Sequence, residues 1–542
     1  MNMTHLGRGA AAIVLPTFLF ACGGSSGGGG NGGGDDMPQD PPEQFTVIDN
    51  DTTRANGING IVHASNGGVY AIGFSDQQDQ RTVILAYDAD GDVDETFGDN
   101  GVMSLNVRVA GQGMGSVSSG DEQGFGIVQT AEGDLVIAVN AADGNGEAEL
   151  DEGQSVYLFR LDSSSDFAVD TEFGDDGGSN GLLEGAQEVV FATPNTDNSS
   201  YQSTVGVFPV DAASDLLLDT SQAPDERLVV LGAGSAPVSA GATDQDRYVA
   251  RLMADTGMAD NSFRGGSAHQ YTTPRGPNSG DNVRRGFVEA DGSIMSAGYT
   301  DLGDGFGNHI ILIKLQENGQ PDPGFGDFID PSMDSIAGVS GPGIAAFNPF
   351  RDVGGFAEAY GAVPQSNGEY ITTGYGAANN GTRPPSDDPL SEYLATDGPD
   401  VVTFRVAGDT MVDEGYGNPN ASGTQAFQSE TTNDFTDDQE VSGEDRGRDM
   451  VVLPDDTSVH VGYYGGVPAI YVVTPDGQLD TTVDDDGLIL LPHDDIQNTS
   501  GPVTQQFFTV EATADGSRLA MGTRGNDDAG ARVVIVDLEP EE

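Results

Sequence analysis

The chain of 542 residues has no tryptophan, one cysteine (Cys22) and one lysine (Lys314). A single cysteine permits no disulfide within the chain, so packing, with or without bound ions, must hold the fold. The lack of tryptophan argues against repeat families that carry one in their signature, such as WD-type propellers. Basic residues are scarce: 21 Lys and Arg stand against 87 Asp and Glu, a formal charge of −66. Phosphate backbones require clustered cations, so the expected partners include no nucleic acid. An Asp-rich, Lys-poor chain is what high salt favours, because hydrated carboxylates keep it soluble and salt screens their repulsion. The loading of divalent cations is a second reading of the same acidity. No G-x-x-x-x-G-K-[ST] phosphate loop and no catalytic motif is found, and the histidines have no metal-ligand spacing.

What is present begins with a targeting segment, residues 1–21. It has a short polar start with Arg8 and an apolar run from Ala10 to Ala21. That run is too short, and Pro16 too disruptive, for a membrane-spanning helix. It ends Leu19-Phe20-Ala21-Cys22, followed by a glycine run, and resembles a bacterial lipoprotein signal, in which cleavage precedes an acylated cysteine. The resemblance implies lipidation at Cys22. With Gly23 rather than Asp next, it also implies the cell outer membrane, facing the periplasm or the surface. An ordinary secretory signal with an incidental cysteine stays open. Residues 22–43, rich in Gly, Pro and Asp, read as a linker that holds an acidic body off the membrane.

Residues 44–542 repeat. Each copy reads as four short strands, the first two joined by a tight turn such as Asn66-Gly67, Asp291-Gly292 or Asn367-Gly368. Six of the seven hairpins carry a glycine late in their second strand: Gly73, Gly232, Gly298, Gly374, Gly462 and Gly522. Only glycine is free of steric cost where φ is positive or backbones crowd. An Asp precedes an aromatic by three at Asp94/Phe97, Asp170/Phe173, Asp260/Phe263, Asp322/Phe325 and Asp413/Tyr416. That Asp is expected to cap its own turn and the aromatic to plug the space between copies. Arg160, Arg251, Lys314 and Arg405 share one place in the third strand and are expected to pair with the turn Asp.

The seventh copy, ARVVIVDLEPEE, stops after its third strand, and Gln44 to Asn50 reads as a lone fourth strand. The expected fold is therefore all-β: one seven-bladed β-propeller of four-stranded blades, its ring closed by the N-terminal strand, as a monomer. Stretches such as DGSIMSAGY with KLQENGQPDPGFG, and NGGVYAIGF with YDADGDVDETFG, resemble the delta-60 repeat of bacterial secreted proteins. The resemblance covers residues 44–538 and implies a β-propeller, with no family-wide catalytic residues to carry over.

Two groups of residues are candidates for chemistry. Asp88, Asp90, Asp92 and Asp94 place oxygens at alternate positions around Gly91, which suits Ca²⁺, against the simpler reading of a solvated acidic turn. Arg54, Arg284, Arg285, Arg446 and Arg448 read as preceding first strands. At one mouth of a central channel they would hold an anion or a carboxylate, or simply pair with neighbouring acids. The expected function is a cell-surface lipoprotein whose propeller binds or scaffolds a surface protein or polysaccharide. The alternatives are a propeller enzyme of lyase, hydrolase or quinoprotein type, with its site at the channel mouth, and a calcium-loaded structural protein.

Overall fold

A computed structural model of the chain describes residues 45–52, 55–75, 81–107, 122–142, 154–174, 183–191, 211–239, 242–266, 268–271, 281–301, 307–326, 328–329, 342–378, 389–393, 398–407, 412–421, 423–427, 444–465, 467–484, 486–490, 505–525 and 530–538. The chain divides into Met1–Met37 and Pro38–Glu542, and every described residue belongs to the second unit. Cys22 and Arg54 lie outside the described residues. No described helix is long and apolar enough to cross a membrane.

Pro38–Glu542 is all-β. Alternating and β-branched runs form strands, and the strands fall into antiparallel groups in chain order. Gly57–His63, Val69–Ser75, Arg81–Tyr87 and Val102–Leu105 make the first group. The second is Glu122–Gln129, Leu135–Ala142, Gln154–Asp162 and Gln187–Val189, with Ala168–Val169 beside its third strand. The third is Asp211–Asp219, Arg227–Ser239, Ala242–Met253 and His269–Tyr271. The fourth is Asp281–Val288, Ile294–Asp301, Asn308–Leu315 and Ile344–Phe347, with Phe328–Ile329 added in parallel. Phe356–Pro364, Tyr370–Ala377, Asp400–Val406 and Thr424–Phe427 form the fifth. Arg446–Val452, Ser458–Tyr464, Val467–Val473 and Leu488–Leu490 form the sixth. The last three strands, Gln505–Ala512, Arg518–Gly525 and Ala531–Leu538, share one sheet with the first group through the pairing of Gly57 with Arg524. Ala531–Leu538 takes Phe45–Thr52 as its outer neighbour, from Phe45 opposite Leu538 to Thr52 opposite Ala531. That strand runs two residues beyond the Asn50 end expected from the sequence.

Every first strand carries one extra residue against its second strand. The register shifts fall between Ile58 and Gly60, Gly124 and Gly126, Ala213 and Asp215, Val283 and Gly286, Ala359 and Gly361, Gly447 and Asp449, and Phe507 and Thr509. Such bulges bend a strand and re-aim its side chains. They also explain the glycines late in the second strands. At Gly73 a Cβ would overlap the carbonyl oxygen of Gly57, and at Gly462 that of Arg446, so the requirement is backbone crowding and not positive φ.

The core lies in layers between consecutive groups. Phe97 packs with Ile137, Val139 and Phe159 of the second group, and Phe173 with Leu228 and Val230 of the third. Phe263 packs with Ile294 and Ile311, Phe325 with Tyr370 and Phe404, and Val483 with Leu519 and Met521. A further layer joins Ala520, Val533 and Ile535 to Ile58, Ala71 and Leu85, so the last group packs on the first. Full burial of one such aromatic contributes about 1.5–3 kcal/mol.

Each corner is built the same way. Oδ1 of Asp94, Asp170, Asp260, Asp322, Asp413 and Asp480 accepts a hydrogen bond from the backbone amide two residues on, at 2.8–3.0 Å. The third-strand cations then join the corner to the next group. Arg160 Nε donates to Asp170 (2.9 Å), Arg251 Nε to Asp260 (2.8 Å) and Arg405 Nε to Asp413 (3.0 Å). Their Nη1 groups donate to the carbonyls of Asp255, Glu317 and Pro475 in the following group. Lys314 lies 3.8 Å from Asp322. The corner aromatics fit beneath the next group's turn glycines, Phe173 under Gly257 and Tyr416 under Gly477.

Candidate functional site

The first strands of these groups line one space. They neighbour each other in chain order, and Gln505–Ala512 neighbours Gly57–His63. Their carboxy-terminal halves line an open cavity of about 830 Å³, to which each of them contributes. Its wall is apolar at Ile61, Ile127, Leu217, Val288, Val363 and Val451. Charge gathers at its floor, where the bulges place Asp215, Arg285 and Asp449.

Arg285 crosses between groups. Its Nη1 lies 3.5 Å from Asp215 and its Nε 3.7 Å from Asp449. Its Nη2 donates to the carbonyls of Asn59 (2.9 Å) and Phe508 (3.0 Å). Asp215 Oδ2 also accepts from the Gly286 amide at 2.9 Å, and Asp449 Oδ2 from the Val510 amide at 3.0 Å. Each acid is thus fastened to the first strand of a neighbouring group. Burial pushes both carboxyls up, opposed by Arg285 and by these amides.

Glu511 completes the floor. It is exposed within the cavity, and desolvation pushes its carboxyl up to about 8, helped by the like charges of Asp449 and Asp215. No hydrogen-bond donor is placed on that carboxyl among the described residues. His63 Nε2 stands 3.2 Å from the Glu511 carbonyl, and burial lowers its ring below the usual imidazole value. With its carboxyl pushed above the usual range and no donor on it among the described residues, Glu511 is positioned to give or take a proton near neutral pH.

The other ends of the same strands are cationic and aromatic. Arg284 Nη2 donates to Tyr299 Oη at 3.0 Å, and its guanidinium lies 4.8 Å from the Tyr360 ring centre. Arg448 lies 4.9 Å from Tyr360 and donates through Nε to Gln506 at 2.8 Å. Arg446 lies 4.6 Å from the Tyr375 ring. Burial raises the phenols of Tyr299 and Tyr463, the latter to about 12, so they remain protonated donors.

The structure separates the arginines considered together in sequence. Arg285 belongs to the cavity floor, whereas Arg284, Arg446 and Arg448 belong to the tyrosine cluster. Asp215, Asp449 and Glu511 were missed. Their signal was an acid inside an otherwise apolar first strand: Asp215 and Asp449 stand where Gly60, Gly126 and Gly361 do in other copies, and Glu511 where Val62, Val128 and Val363 do. The Asp88–Asp94 turn uses its acids as caps: Asp88 Oδ1 accepts from the amides of Asp90 and Asp92 at 3.0 Å. Among the described residues no group of three or more His, Cys, Asp or Glu is placed to hold a metal ion.

No family model matches the chain, and no curated protein does. The delta-60 resemblance therefore rests on its motifs alone. Solved structures that are similar include a protein of unknown function from Dyadobacter fermentans, at 9% identity and a TM-score of 0.38, covering 92% of this chain and 100% of that one. The soluble aldose sugar dehydrogenase from Escherichia coli is 13% identical, with a TM-score of 0.32, over 72% of this chain and 93% of that one. The periplasmic gluconolactonase of Pseudomonas aeruginosa is 11% identical, with a TM-score of 0.34, over 78% and 82%. At these identities the likeness gives this chain no activity.

Proposed function

We propose that Pro38–Glu542 is a seven-bladed β-propeller, its ring closed by Phe45–Thr52, whose cavity performs acid–base chemistry on a small neutral, hydroxyl-bearing molecule. The ring reading is supported by the first strands neighbouring one another in order and by the layer that packs the last group on the first. The observation that carries the functional reading is the convergence of Asp215, Arg285, Asp449 and Glu511 on the floor of one cavity. Arg285, Asp215 and Asp449 direct their hydrogen bonds at the protein and fix the floor. Glu511 is left for the ligand. Two floor carboxylates against one guanidinium favour a neutral or cationic guest over an anion. The expectation of a module without catalysis, drawn from the lack of a motif, is not supported by this arrangement.

The test is a thermal-shift screen of the protein with neutral sugars, their lactones and their glycosides, followed by turnover assays on the binders. Glu511→Gln should keep binding and lose about 100-fold or more in kcat, the lower end of what a positioned acid–base group supplies. Binding without turnover in the wild type returns the cavity to a binding module, and no binding by any compound overturns the reading.

A further inference from the structure

We propose a second site, at the amino-terminal ends of the first strands, that takes a small organic carboxylate on Arg284, Arg446 and Arg448. It is independent of the chemistry in the cavity. Among the described residues several cations of this acidic chain are matched by a carboxylate: Arg160 with Asp170, Arg251 with Asp260, Arg405 with Asp413, Arg518 with Asp537. Arg284 and Arg448 have no carboxylate partner among the described residues. Their side-chain acceptors are neutral, the Tyr299 hydroxyl and the Gln506 amide oxygen.

The acids nearby are few and engaged. Glu358 accepts from Asn308 and from the Tyr375 hydroxyl, each at 2.6 Å, and Glu444 lies 3.3 Å from Arg446. Three guanidiniums against two carboxylates leave the cluster positive. Stacking fixes the guanidinium planes: Arg284 and Arg448 on Tyr360, Arg446 on Tyr375, with Arg448 also 5.8 Å from Tyr463. A plane held by its face leaves its edge donors free for a carboxylate fork. The buried Nε groups of Arg284 and Arg446 have no acceptor among the described residues, an arrangement costly without a ligand or water to accept from them. One surplus charge suits a monoanion, and the tyrosine faces suit an organic body attached to it.

The experiment is titration calorimetry of the full chain at fixed ionic strength with galacturonate, using galactose as the uncharged counterpart and chloride as the inorganic anion. Galacturonate should bind, with galactose and chloride at least tenfold weaker. Arg284→Gln and Arg448→Gln should each weaken galacturonate by about tenfold or more, as expected for losing a charge-assisted hydrogen bond. The corner variant Arg405→Gln should leave that affinity unchanged. If Arg284→Gln does not fold, Arg448→Gln decides, since it keeps Arg284 and Arg446 in place. No galacturonate binding, equal affinity for chloride, or unchanged affinity in the arginine variants overturns the proposal.

Discussion

Arg284 and Arg285 are adjacent in the chain and belong to opposite chemistries. Arg284 lies among tyrosines with neutral acceptors, whereas Arg285 is held by two acids and two carbonyls on the cavity floor. The bulge in Asp281–Val288 is what divides them, because the extra residue re-aims consecutive side chains. The same first strands thus have a cationic, aromatic end and an acidic, apolar end. The difference teaches that charge in this molecule is sorted along the first strands, and that Arg285 is the partition.

The strongest way to break the contrast is to remove that partition. Arg285→Met leaves Asp215 and Asp449 buried and without their cation, which should cost about 3–5 kcal/mol in urea unfolding at pH 7.5. At pH 5 the loss should shrink, because both carboxyls are already pushed up by burial and take up protons without the guanidinium. An equal loss at both pH values would mean that the arginine acts through packing alone.

A smaller effect sharpens the acidic end. Desolvation pushes the Glu511 carboxyl to about 8 in the folded chain against an ordinary 4.5, so the folded state favours the extra proton between these values. Its relative contribution to stability is full below pH 4.5 and is lost as pH rises through 8. Glu511→Gln should therefore match the wild type near pH 4.5 and exceed it above pH 8. Parallel pH–stability curves would show that water in the cavity relieves the carboxylate.

The smallest effect is expected away from both ends. Arg405→Gln removes a partly exposed pair with Asp413 and a bond to the Pro475 carbonyl, and should cost about 1 kcal/mol in the same unfolding experiment. A loss as large as that of Arg285→Met would erase the distinction between corner and channel cations.

How much of this was legible follows from the range of each interaction. The hairpin turns and corner caps depend on residues two to four apart, so Asn66-Gly67 and the Asp94 and Asp413 corners can be read directly. The crowding glycines were visible as a pattern, though the bulge behind them was not, since a register shift needs both strands. The cavity floor was hidden for a different reason. Asp215, Arg285, Asp449 and Glu511 come from separate copies and meet only when the first strands line one space. Their individual positions look like ordinary departures from a repeat.

The pairing of Phe45–Thr52 with Ala531–Leu538 also decides how the molecule bears force. A pull applied through the residues before Phe45 runs along that strand, while its cross-strand hydrogen bonds lie perpendicular to it. The load is shared by the whole eight-residue register at once, in shear, so the first strand of the unit is a clasp that slides as one piece or holds.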